Sequence, residues 1–239
     1  EMCIRDRIII IPTYNEFENI ENIIRKIFSL QSNYHLLVID DNSPDMTSHV
    51  VKKLISEFEN KLFIKIREKK LGLGSAYVTG FKYALKKGYK YIVTMDADLS
   101  HNPNDIPRLI QNTSDLCIGS RYISGINVVN WPLERIILSY MASLYVRIIS
   151  GMPVKDPTSG FVCYKAEKLE LLNLDSIKSN GYSFQIEMKF KFFMKKYILK
   201  EIPIIFTDRK FGKSKLNGSI IGEAFFEVIL MKIRSYFKK

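Results

Sequence analysis

Two carboxylates spaced two residues apart, Asp96 and Asp98, close an apolar run in the stretch Tyr91 to His101, Tyr-Ile-Val-Thr-Met-Asp-Ala-Asp-Leu-Ser-His. The β-branched first half has the character of a buried strand, and on extended backbone that spacing puts both acids on one side. Acids leaving the end of a buried strand are costly unless a cation meets them, and a divalent ion carrying phosphates is a common solution. The pair points to a metal and a nucleoside diphosphate. A solvated Asp-x-Asp turn has the same residues, so the surrounding elements decide.

Those elements alternate. Ile8 to Ile11 is a β-branched run stopped by Pro12, and Phe17, Ile20, Ile23, Ile24, Ile27 and Phe28 recur at helical spacing behind an Asn15/Glu18 capping box. Leu36 to Ile39 predicts a second strand, ending in Asp40-Asp41-Asn42-Ser43-Pro44-Asp45, and Val50, Val51, Leu54, Ile55 and Phe58 form the next helical stripe. Leu62 to Ile66 predicts a third strand; Ala76, Phe81, Ala84 and Leu85 mark a helix closed by Gly88; Tyr91 to Met95 is the fourth strand. A short helix over Pro103 to Gln111, a fifth strand over Asp115 to Ile118 and a last strand over Ile202 to Phe206 complete the series. Such alternation predicts an α/β fold, a mostly parallel sheet with helices on both faces. Ligands of these sheets sit outside the carboxyl ends of the strands, and in this chain those ends are Pro12 to Glu16, Asp40 to Asp45 and Asp96 to Ser100.

Four motifs follow in order: Pro-Thr-Tyr-Asn-Glu at 12–16, Asp-Asp-Asn-Ser-Pro-Asp at 40–45, Gly-Leu-Gly at 72–74 and Asp-Ala-Asp-Leu at 96–99. The chain resembles the nucleotide-sugar domain of family 2 glycosyltransferases, and most closely the dolichyl-phosphate (polyprenyl-phosphate) mannosyltransferases. Gly119-Ser120-Arg121-Tyr122, Asp156-Pro157-Thr158-Ser159-Gly160-Phe161, Phe184-Gln185-Ile186-Glu187 and Arg209-Lys210-Phe211-Gly212-Lys213-Ser214-Lys215 fall where that family has counterparts. Three positions depart from its pattern: Ser100 stands for the usual Gln, Met46 for Gly and Val162 for Arg.

The resemblance implies a GT-A (Rossmann-like) single domain over residues 8–217; residues 1–7, which lack periodicity, are expected to be a disordered tail, and composition predicts a C-terminal amphipathic helix over residues 218–239. It implies an inverting transfer of mannose from GDP-mannose to a polyprenyl (dolichyl-type) phosphate, giving a β-mannosyl phosphoryl lipid. Asp96, Asp98 and Ser100 would hold Mg2+ or Mn2+. Asp98, Arg121 and Arg209 are the catalytic candidates, because preorganised positive charge and guanidinium forks suit a departing diphosphate. Pro12, Tyr14, Glu16, Asp40, Asp41, Asp45, Gly74, Asp96, Ala97, Arg135 and Lys215 are the substrate-binding candidates. A phosphate monoester is already anionic near pH 7, so such an acceptor needs no general base.

Composition sets the outer limits. With 239 residues, 46 % apolar and 26 % charged, the chain has the makeup of a globular domain and not of a disordered or fibrous one. Its net charge of +11 draws it to anions: phosphorylated substrates, nucleic acid or an anionic membrane surface. Nucleic acid gives no reason for acidic clusters on three successive strand ends. Three scattered cysteines and three scattered histidines argue against a disulfide framework and a zinc centre, and fit a reducing cytoplasm. No apolar run reaches the length that spans a bilayer. The expected location is therefore cytoplasmic, peripheral on the cytosolic face of a membrane. Leu133 to Ile149 is either a core helix or an interface helix for the lipid. Ile220 to Phe237, with Lys232, Arg234, Lys238 and Lys239 at its end, lies on a membrane, on the domain or on a membrane-anchoring partner subunit. Glucosyl or N-acetylglucosaminyl transfer to a lipid phosphate or glycan, and a non-catalytic basic nucleotide-binding module, are the alternatives.

Overall fold

A computed structural model describes residues 6–30, 33–112, 114–177, 179, 181–209 and 218–237. Its strands are β1 (Arg7–Thr13), β2 (His35–Asp40), β3 (Leu62–Ile66), β4 (Tyr91–Thr94), β5 (Leu116–Ser120), β6 (Val128–Val129), β7 (Val162–Lys165), β8 (Leu199–Pro203) and β9 (Phe206–Thr207). The helices are α1 (Phe17–Phe28), α2 (Thr47–Ile55), α3 (Leu73–Lys86), α4 (Ile106–Gln111), α5 (Leu133–Ser150), α6 (Ala166–Glu170), α7 (Gly181–Met194) and α8 (Gly218–Phe237). Seven strands form one sheet in the order β3-β2-β1-β4-β7-β5-β8, and β6 and β9 pair separately. Only β7 runs antiparallel to its neighbours in the main sheet. The expected mostly parallel, helix-covered sheet is the fold.

Period-two alternation splits the strand residues between two cores. Ile8 and Ile10 of β1 join Tyr77, Phe81, Phe184 and Met188 from α3 and α7 on one face. Ile9 and Ile11 join Ile20, Ile24, Val51 and Leu109 from α1, α2 and α4 on the other. Runs that are apolar on both sides therefore become fully covered strands.

Several local expectations are corrected. β1 does not stop at Pro12; it continues to Thr13 in register with β2, while its pairing with β4 ends at Ile10. The missing N–H of Pro12 thus falls beyond the β4 ladder, where a proline is tolerated. At the other end Arg7 already pairs with Tyr91, and the Asp6 carbonyl accepts from Lys90 and Tyr91 N–H, so residues 6 and 7 are part of the fold rather than a tail. The expected last strand is two pieces, β8 on the main sheet and β9 beside β6. Helix α8 packs against α5 and α7, burying Val228 among Val146, Met152, Ile186 and Phe190.

The sheet order reverses between β1 and β4, which both leave the edge where Asp96 and Asp98 lie. Backbone there is unusual: Asn15, Asn42, Met46 and Leu99 all have φ between 55° and 69°. Left-handed non-glycine residues of this kind concentrate where loops are held in set shapes around ligands.

Candidate active site

Asp96 and Asp98 follow β4 and differ in setting. The Asp96 side chain is 39 % exposed, whereas Asp98 is buried and held by Ser100, whose N–H and hydroxyl donate to Asp98 Oδ1 at 3.1 and 2.5 Å. Ser100 is itself buried. Its hydroxyl proton is committed to orienting Asp98, while its oxygen lone pairs stay available to a cation. The guanidinium of Arg209 faces the other oxygen, Asp98 Oδ2, at 3.3 Å. Among the described residues no group of three His, Cys, Asp or Glu converges. Two carboxylate oxygens fit a hard cation that keeps water and phosphate oxygens in its remaining positions.

His101 lies behind the pair. Burial pushes its imidazole down to about 4, so it is neutral at pH 7, accepting from the Asp96 N–H at 3.4 Å and stacked on Phe161. Tyr77 is fully buried, and desolvation followed by the Asp96 charge pushes its phenol up.

The other two strand ends turn out to be anchored inward. Asp40 is wholly buried and accepts from Thr13 Oγ1 at 2.8 Å and from Ser43 N and Oγ at 2.9 and 2.6 Å. Asp41 is buried against Arg67 and also accepts from the N–H groups of Leu71 and Gly72 at 3.2 Å. It thereby fixes the Gly-Leu-Gly loop. Asp45 caps α1 across the chain, accepting from Phe17 N at 3.0 Å, and binds Thr47 N and Oγ1 with its other oxygen. This replaces the expected Asn15/Glu18 capping box, since Asn15 is in the left-handed region and α1 begins at Phe17. Gly74 has a packing reason too: a Cβ there would come within 2.5 Å of the Ser179 carbonyl and 3.0 Å of the Phe184 ring. Asp40, Asp41, Asp45 and Gly74, expected to touch substrate, are thus all engaged within the protein. Pro12, Tyr14 and Glu16 are partly exposed at and just after the end of β1, with Lys70 over the Tyr14 ring at 4.3 Å, whereas Ala97 is buried in the core beneath α1, α2 and α4.

Among the basic candidates, Arg121 is buried, with Nε and Nη2 forked onto Asp156 at 2.7 and 2.6 Å and Nη2 on Thr158 at 2.8 Å. Burial pushes the Asp156 carboxyl up, but Arg121 outweighs it and holds the group below the usual range. Three donors of Arg121, expected to meet a phosphate, are thus engaged with Asp156 and Thr158 in this structure. Arg135, in the first turn of α5, chelates Asp208 at 2.9 Å and lies over the Trp131 ring at 4.0 Å. Asp208 also accepts from the Arg209 N–H at 3.0 Å. Lys215 lies outside the described residues.

Sequence reading missed Arg67 and Lys189, and it placed Asp156 and Gln185 in motifs without giving either a role in the site. Lys189 is fully buried on α7, donating to the Ser159 carbonyl at 2.7 Å, and burial pushes it down to about 7. The contacts of Arg67 with Asp41, of Asp156 with Arg121 and of Lys189 with the Ser159 carbonyl span 26 to 35 residues, and nothing local marks them.

Helix α5 is not a core helix. Ser143, Val146 and Ser150 face inward, while Leu133, Ile137, Tyr140, Met141 and Ile148 form an exposed stripe, Leu133 at 69 % and Ile148 at 70 %. Helix α8 exposes Phe225, Phe226, Leu230, Ile233 and Tyr236. No helix among the described residues is long and apolar enough to cross a membrane.

Comparison with known proteins gives a consistent family. The profile of glycosyl transferase family 2 matches residues 8–183. The chain is 40 % identical over 230 residues to a polyprenol monophosphomannose synthase of Mycolicibacterium smegmatis, covering 95 % of this chain and 87 % of that one. It is 41 % identical over 217 residues to an undecaprenyl-phosphate mannosyltransferase of Micrococcus luteus, covering 90 % and 89 %. Among solved structures, a glucosyl-3-phosphoglycerate synthase of Mycobacterium tuberculosis, crystallised with Mn2+, UDP and glucosyl-3-phosphoglycerate, superposes with a TM-score of 0.68 at 19 % identity, over 97 % of this chain and 80 % of that one.

Proposed function

We propose, from the premise that this chain belongs to glycosyl transferase family 2, that it transfers mannose from GDP-mannose to a polyprenyl phosphate and inverts the anomeric configuration, giving a β-mannosyl phosphoryl lipid. The observation that carries this reading is an outward Asp96 beside an ordered Asp98, joined through Arg209, Asp208 and Arg135 to a helix with an exposed apolar stripe. A water-borne diphosphate sugar and a membrane-borne acceptor each find suitable chemistry on one connected edge. The names of the mannosyltransferase relatives support the choice of sugar and acceptor.

In this mechanism an oxygen of the lipid phosphate attacks the anomeric carbon as the bond from that carbon to the diphosphate oxygen breaks, and GDP departs with the electron pair. Asp96 and Asp98 would hold a Mg2+ or Mn2+ ion, which when bound offsets charge developing on the departing diphosphate. Ser100 keeps Asp98 in a single orientation. Arg209 adds a guanidinium on the same side of the site. The only histidine beside the acids is buried and neutral, and an anionic acceptor asks for no base. The exposed stripe of α5 would lie in the membrane interface, which fits a peripheral protein on the cytosolic face.

The test is a product assay of the full chain with polyprenyl phosphate and GDP-mannose, UDP-glucose or UDP-N-acetylglucosamine. Mannosyl phosphoryl lipid formed from GDP-mannose is the expected product. Transfer from a UDP-sugar alone would replace the donor assignment, and no lipid product from any donor would overturn the reading.

A further inference from the structure

Gln185 stands on α7 and is 2 % exposed, yet neither of its buried side-chain atoms, Nε2 and Oε1, has a hydrogen-bond partner among the described residues. Burying a carboxamide without partners costs on the order of 1–3 kcal/mol per polar group, so its place calls for an explanation. The side chain ends near Gly160. A Cβ built on Gly160 would be 3.5 Å from Gln185 Nε2 and 3.6 Å from both carboxylate oxygens of Asp96. Gly160 itself is only partly buried. Thr94 Oγ1 fixes the Gly160 carbonyl at 2.8 Å, and Lys189 holds the adjoining Ser159 carbonyl and the Gln185 carbonyl at 2.7 and 3.2 Å. Gly160 and the carboxamide are thus built on one braced frame. Phe184, the preceding residue, is stacked on Tyr77 with ring centroids 5.6 Å apart.

We infer that Gln185 is a positioning and specificity-determining residue that reads a hydroxyl of the donor sugar, its Nε2 donating to and its Oε1 accepting from a group held between itself and Asp96. This rests on the donor being a nucleoside diphosphate sugar. A carboxylate that must face both a cation and a sugar leaves room for only a small polar group on its far side, and a glycine at 160 supplies that room. A carboxamide can match a hydroxyl in both directions, which a purely apolar wall cannot.

Two variants test this by separating sugar from nucleotide. In Gln185→Ala the carboxamide is removed; in Gly160→Ala a methyl enters that room with no contact below 3.5 Å and no left-handed φ to strain it. Binding of GDP and of GDP-mannose, each with Mg2+ or Mn2+, is measured on the full-length protein, together with kcat and KM and with GDP-mannose analogues each lacking one sugar hydroxyl. Both variants are expected to weaken GDP-mannose by on the order of tenfold to a hundredfold while leaving GDP unchanged. The Gln185→Ala penalty should vanish for the one analogue that lacks the hydroxyl read. Equal weakening of GDP and GDP-mannose, an unchanged affinity for GDP-mannose, or the same penalty with every analogue would overturn the inference. If the wild type instead binds and uses UDP-glucose, the donor assignment fails by itself, and the same comparison with UDP and UDP-glucose then decides the role of Gln185.

Discussion

At the scale of single residues, the two acids after β4 divide the work. Asp98 is the ordered one, and its substitution removes a charge without opening the core. Asp98→Ala is expected to lower transfer by about 10²-fold or more with an unchanged circular dichroism spectrum, and chelation should silence the wild type to a similar degree. Near-normal turnover of the purified variant in metal-containing buffer would displace the site from these acids. Met46 offers a stability test of the loop between β2 and α2. Its φ of 69° is a glycine conformation carried by a residue that is largely exposed. Met46→Gly removes a backbone cost on the order of 1 kcal/mol and gives part of it back as unfolded-chain entropy. A net rise in unfolding free energy of a few tenths to about 1 kcal/mol is expected in denaturant melts.

At the scale of elements, the periodic patterns were legible and the long-range anchors were not. Isoleucines on β1 and α1 announced both cores, because burial on both faces of a strand and on one stripe of a helix leaves a regular signature. The cap on α1 comes from Asp45, 28 residues along, and no local rule proposes it. Acids at strand ends were legible as acids, but Asp40 looks inward to Thr13 and Ser43, and only tertiary placement distinguishes an anchor from a ligand. Helix α5 was ambiguous for a related reason: its composition suits a core, and only the position of its neighbours leaves Ile137 and Met141 uncovered, each 54 % exposed. Ile137→Asp with Met141→Asp should therefore leave the melting temperature nearly unchanged while cutting sedimentation with anionic vesicles several-fold. Unaltered vesicle binding would move the membrane contact to α8, whose removal is expected to cost stability because Val228 belongs to the core shared with α5 and α7.

At the scale of the whole molecule, net charge and alternation identified a basic, helix-covered sheet that handles anions, while the internal charges that brace it were invisible. Lys189 reads in sequence as one more solvated lysine among 36 basic residues, yet it is buried and ties α7 to the segment carrying Asp156 and Ser159. Its folded value of about 7 lies below the ordinary 10.5. Between those limits the unfolded chain binds more protons, so folding stability from this group rises as pH climbs from about 7 towards 10.5, and it gives no slope below 7. Wild type minus Lys189→Met should show that slope, on the order of 1 kcal/mol per pH unit, in chemical denaturation at a series of pH values. A flat difference would mean that Lys189 titrates normally in the fold.

The adjacency of Asp208 and Arg209 ties two distant settings together. One residue grips α5 through Arg135 and the next faces Asp98, so a single peptide unit is shared by both contacts. A crank with two arms on one axle cannot turn one arm alone. Tilting α5 as it seats on a lipid surface would rotate the Arg209 arm, and the charge balance at Asp98 and the attitude of the helix are then one coordinate rather than two.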